Sequence, residues 1–91
     1  MRKQIIAGNW KMNGTIASGS ILIEAFTSFL SDKDLDCEVV VCPPFTALER
    51  AVSLTRDTQV GVGAQNMDYH DAGAFTGEVS PLMLTELGVS Y

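Results

Sequence analysis

The sequence lacks long apolar runs, clusters of basic residues and a cysteine pair placed to cross-link. No stretch approaches the ~20 consecutive apolar residues that a membrane-spanning helix needs. Arg2 and Lys3 have no apolar region behind them, so neither a span nor a secretory signal is read. Lysine and arginine number 6 against 11 acidic residues, for a formal net charge of -5. No cationic run exceeds Arg2-Lys3, which argues against nucleic acid or an anionic membrane as partner. Any anion-binding site must therefore be local. The two cysteines, Cys37 and Cys42, bracket "CEVVVC". In a strand they stand roughly 16 Å apart at ~3.3 Å per residue, against the ~4.4 to 6.8 Å that a disulfide requires between α-carbons. Unpaired buried thiols in a reducing compartment are expected, and with them a cytoplasmic location. Asn13-Gly14-Thr15 spells a glycosylation sequon, but without a secretion signal it is read as chance.

Several chemical devices are missing too. "GVGAQN" begins like a dinucleotide fingerprint at Gly61 and Gly63, but Asn66 stands where the third glycine belongs, and no helix follows. Neither a phosphate-loop motif nor a nucleophile elbow occurs. "DYHD" offers Asp68, His70 and Asp71, whose spacing matches no named ligand pattern; a solvated loop is expected there, not a metal site.

What is present is a regular alternation. The 91 residues are 46% hydrophobic and 19% charged, which suits one small globular domain with a modest core. Ile5 to Trp10 reads as a first strand. Thr15 or Ser18 can cap a helix whose Leu22, Phe26, Phe29 and Leu30 form an apolar stripe, with Gly19 weakening its start. Val39-Val40-Val41 is a β-branched run without polar alternates, as in a strand covered on both faces. Pro43-Pro44 stops it and sets up a helix in "FTALERAVSL", with Leu48, Ala51 and Val52 facing inward. Thr58 to Ala64 reads as a third strand, followed by a long loop from Gln65 to Val79. Ser80-Pro81 opens a short helix that Gly88 ends. Val89-Ser90-Tyr91 resembles the opening of another strand. The order predicts parallel strands with helices packed outside them, in a single domain over 1–91 that breaks off in mid-pattern and is incomplete.

Parallel sheets hold ligands at the carboxyl ends of their strands. The first such end is "AGNWKMNG". In an extended chain Ile5, Ala7, Asn9 and Lys11 share one face, which makes Asn9 and Lys11 neighbours able to hold an anionic oxygen. From this stretch alone, Lys11 reads more readily as a solvated residue leaving a strand before an ordinary Asn13-Gly14 turn.

The words "AGNWKMNGT", "VCPPFTAL", "VGAQN" and "GAFTGEVSPLMLTELG" occur in order at the strand ends and into the third helix. Together they resemble the triosephosphate isomerase family, over essentially the whole chain from Ile5 to Tyr91. The resemblance implies an α/β fold, the TIM (β/α)8 barrel of ~250 residues, of which this chain would be the first three βα units. It implies interconversion of dihydroxyacetone phosphate and D-glyceraldehyde 3-phosphate through an enediolate, without cofactor or metal. Asn9 and Lys11 would then be catalytic and substrate-binding, with Lys11 supplying positive charge to the phosphate and the developing oxyanion. The long third loop would reach into a second subunit of a homodimer, with Thr76 touching the partner and Gln65 and Glu78 supporting that contact. It would explain a loop far longer than the usual ~4 to 6 residues. The family's catalytic histidine and glutamate follow later strands, so His70 is not that histidine, and the chain alone is expected to be inactive and to expose apolar strand faces. A reading from another class is a free-standing α/β module that binds a phosphorylated ligand or a protein and does no chemistry.

Overall fold

The computed structural model describes residues 2–91. Three strands, β1 (Ile5–Asn9), β2 (Glu38–Cys42) and β3 (Val60–Val62), form one parallel sheet in the order β1-β2-β3. Helices α1 (Ile16–Leu30), α2 (Leu48–Thr55) and α3 (Pro81–Leu87) follow them in turn, with a 3-10 turn over Phe45–Ala47 leading into α2. This is the alternation expected, and it is the arrangement of the first βα units of a TIM barrel. Ile6 pairs with Val39 and Gly8 with Val41, while Val39 and Val41 pair with Val60 and Val62. These residues therefore share the face turned to the helices.

That face carries the core. Val39, Val41, Val60 and Val62 pack with Ile23, Leu48, Ala51 and Leu84 from the three helices. Leu48 and Ala51 are fully buried, as α2's pattern predicts. Burial of a side chain the size of Leu48 contributes about 1.5–3 kcal/mol. Val40, which faces the other way, is also buried, so β2 is covered on both sides as its apolar run predicts.

Helix α1 corrects the expected stripe. Leu22 and Phe29 are 56% and 66% exposed, and the inward positions are Gly19, Ile23 and Leu30, with Phe26 half-buried. The helix carries more apolar residues than one face can hold, so spacing alone does not fix which of them turn inward. Its start is a reciprocal box: Thr15 Oγ1 accepts from the Ser18 N–H at 3.1 Å, and Ser18 Oγ accepts from the Thr15 N–H at 2.9 Å. Gly19 has a packing reason. A β-carbon there would stand 3.0 Å from the Trp10 ring, which lies across the helix at that point.

Strand β1 is exposed along its whole length, with Ile5 and Ile6 at 48% and 64%. An apolar cavity of about 290 Å³ separates it from α1, lined by Ile6, Trp10, Leu22 and Phe26 among others. The expected exposure of apolar inner strand faces is found at Ile5 and Ala7 of β1 and not at Val40 of β2. The sheet's other end is partly covered. Val89-Ser90-Tyr91 forms no strand, but the Ser90 N–H donates to Val62 O at 3.0 Å and the Ala64 N–H to Tyr91 O at 3.0 Å. Tyr91 thereby lies against Gly61 and Gly63, where a β-carbon at Gly63 would meet Cys42 Sγ at 2.9 Å. Both cysteines are free, and burial pushes the Cys42 thiol above its ordinary pKa. Among the described residues no helix is long and apolar enough to cross a membrane.

Candidate active site

The carboxyl ends of the three strands meet at one corner. β1 ends at Asn9, and the Trp10 N–H still donates to Cys42 O at 3.1 Å, which keeps the exit of β1 beside the exit of β2. Lys11 then takes a left-handed backbone conformation, with φ 56°. A non-glycine residue held in that region typically costs about 1 kcal/mol or more, and it persists where neighbours hold it in place. The neighbours here are side chains. Asn9 Oδ1 accepts from the Lys11 N–H at 2.9 Å, and Gln65 Nε2 donates to Lys11 O at 2.9 Å. Asn9 is joined to Lys11 by a side chain bonded to the backbone of a turn, and not by the shared strand face that parity suggested.

Asn13 Nδ2 donates to Trp10 O at 2.9 Å and closes the turn, whose next residue, Gly14, has φ 93°. Lys11 is exposed, and among the described residues it forms no ion pair. Asn9 has spent its carbonyl oxygen on the Lys11 backbone, which leaves its Nδ2 hydrogens for another acceptor. The corner therefore offers one uncommitted cation and one amide donor, the equipment for an anionic oxygen. In a chain of net charge -5 it is a local site, as the composition requires.

Thr76 and Glu78 lie in a turn of the third loop. The Glu78 N–H donates to Phe75 O at 3.0 Å, and Gly77 has φ 89°, the mark of a type II turn with Thr76 at its first central position. Both side chains are exposed. The loop's base is closed by the Asp68 N–H donating to Val79 O at 2.8 Å. Of the three residues expected at a subunit contact, Gln65 is the exception in place: it belongs to the strand corner, not the turn of the third loop.

Two features escaped the sequence. "DYHD" is not simply a solvated loop. Asp68 Oδ2 accepts from the His70 backbone N–H at 2.8 Å and meets His70 Nδ1 at 2.9 Å, and the imidazole stacks on Phe75 at 4.0 Å. The backbone bond, first, and the facing ring hold the Asp68 carboxyl below the usual carboxylate range. The second is the double bond made by Gln65, whose Nε2 also donates to Cys42 O at 2.8 Å. Nothing local in the sequence signals it, because its partners lie 54 and 23 positions back.

Comparison with known proteins adds a family. A family model described as "Triosephosphate isomerase" matches residues 4–91. The triosephosphate isomerase of Clostridium novyi is 55% identical over the full chain, and that of Herpetosiphon aurantiacus 50%. In both cases the chain spans only 36% of the relative's length. The crystal structure of triosephosphate isomerase from Bartonella henselae superposes with a TM-score of 0.83 at 36% identity, covering 99% of this chain and 36% of that one.

Proposed function

Because the chain belongs to the triosephosphate isomerase family, we propose that it forms the first three βα units of a larger barrel that interconverts dihydroxyacetone phosphate and D-glyceraldehyde 3-phosphate. The observation that carries this reading is Lys11: an uncommitted cation at the carboxyl end of a parallel sheet, with the peptide groups on either side bonded in place. Lys11 meets the substrate phosphate and the oxyanion that develops as the enediolate forms, and the Asn9 amide helps orient the same oxygens. A cation ~4 Å from an anion is worth ~1 kcal/mol in bulk water but ~4 kcal/mol at an effective dielectric near 20. The corner gains its force once the rest of the barrel closes water out. The proton transfer itself is assigned to no residue of this chain.

The third loop serves a homodimer. Thr76, presented at the tip of its turn, enters the partner beside the partner's own strand corner, with Glu78 and Gln65 supporting the contact, and the assembly works in the cytoplasm. A coupled assay tests the activity. The full-length product of the gene should turn over glyceraldehyde 3-phosphate, and the isolated 91-residue chain should not. A full-length product without turnover would overturn the reading.

A further inference from the structure

We propose that Gln65 is a positioning residue that acts through Lys11, an inference that rests on the reading of Lys11 as the cation that meets substrate. Gln65 stands just past β3, and both hydrogens of its Nε2 are spent, one on Lys11 O at 2.9 Å and one on Cys42 O at 2.8 Å. The amide can sit only one way round. Turned over, its oxygen would face two carbonyl oxygens. Cys42 O also accepts from the Trp10 N–H at 3.1 Å, so one carbonyl at the end of β2 is shared by the exits of β1 and β3.

Lys11 needs such a partner because its backbone is left-handed, with φ 56°, and no strand or helix bond fixes it. Asn9 holds the peptide before its α-carbon and Gln65 the peptide after it. The direction in which the Lys11 side chain leaves the sheet is therefore set from both sides. Asn9 reaches forward only two positions, whereas Gln65 ties the lysine to the far strand of the sheet, which makes its placement a property of the whole corner. Deleting the Gln65 donors should free the Lys11 carbonyl and let the backbone relax from its left-handed state, so that the ammonium is no longer held where the anion arrives.

The test is a double-mutant cycle in the full-length enzyme. Gln65→Met keeps the length of the side chain and removes both donors. It should lower kcat/KM for glyceraldehyde 3-phosphate by on the order of 10- to 100-fold, the scale of a misplacement near 1 Å. Gln65→Glu, which sets a carboxylate against two carbonyls, should lose more. In a Lys11→Ala background the same Gln65→Met change should cost less than about twofold, because nothing is left to position. Equal losses in both backgrounds, or no loss beside an intact Lys11, would overturn the proposal. If Lys11→Ala alone left turnover unchanged, the reading of the lysine would fall and the positioning role with it. Calorimetric affinity for inorganic phosphate provides the same cycle where residual turnover is too low, and unchanged thermal melting of Gln65→Met separates lost positioning from lost fold.

Discussion

Strand β3 is flanked by two glutamines that do the same thing at opposite ends. Before the strand, Gln59 Nε2 donates to Leu30 O at 2.7 Å and Lys33 O at 2.9 Å, tying down the last residue of α1 and the turn that follows it. After it, Gln65 Nε2 donates to Lys11 O and Cys42 O. Both bridge two backbone acceptors far back in the chain with one amide nitrogen. They differ in what the acceptors belong to. Gln59 bonds the carbonyl that ends a helix and one in the turn beyond it, while Gln65 holds a residue whose conformation no regular element supports. In parallel α/β folds the amino ends of strands serve stability and the carboxyl ends serve ligands. On the function proposed above, the same chemical staple is structural at one end of a three-residue strand and site-building at the other.

Four changes to the full-length enzyme would break or sharpen that division. The largest effect belongs to Lys11→Ala, which should lower kcat by about 10²–10³-fold, the cost of one electrostatic group aimed at developing charge, with little change in melting temperature. An unchanged rate would remove the carboxyl-end corner from the site. Thr76→Arg should come next, weakening the dimer by at least about 2 kcal/mol, or ~30-fold in Kd, as a long charged side chain is forced into a contact built for a small one. Sedimentation at low concentration reads it, and an unaltered dimer would withdraw the loop's turn from the interface.

Gln59→Met is the direct counterpart of the Gln65 variant. It should cost about 1 kcal/mol of stability in a denaturant titration, the scale of one part-buried and one exposed hydrogen bond lost, and leave kcat/KM unchanged. A fall in turnover would mean that the two ends are not separable. The smallest effect is acid-dependent and confined to the third loop. Asp68 has a native pKa below its ordinary value, so its contribution to stability is present above the ordinary carboxylate range and is lost as pH falls through the lowered native value. Hydrogen exchange at the His70 amide should therefore quicken in that acid window, and Asp68→Asn should abolish the pH dependence. An amide whose exchange has the same acid profile in both proteins would show that Asp68 does not govern the loop.

Much of the fold was legible because it is written in local chemistry. Thr15, Ser80-Pro81 and Gly88 mark helix ends through bonds that span no more than one turn, and Gly88 does take the left-handed conformation, with φ 93°. The β-branched run at Val39-Val40-Val41 is a buried strand for the reason its composition suggests. The phase of α1 was not legible, since Ile21, Leu22, Ile23, Phe26, Phe29 and Leu30 cover more than one face and only packing selects Ile23 and Leu30. Val60–Val62 is shorter than the expected strand because Asp57 turns at φ 63° and Thr58 bonds back to Thr55, delaying the extended chain. At the site, strand parity put Asn9 and Lys11 on one face, whereas the bond between them runs from side chain to backbone in a turn. What it could not supply was Gln65's grip on two distant carbonyls, because a side chain that bonds to backbone leaves no complementary residue to recognise.

Trp10 is the only tryptophan in the sequence. Its indole lies across Gly14 and Gly19, and its backbone immediately precedes Lys11. In this chain the emission of that one fluorophore is an optical readout of the strand corner. Its wavelength reports how closely α1 lies against the first turn.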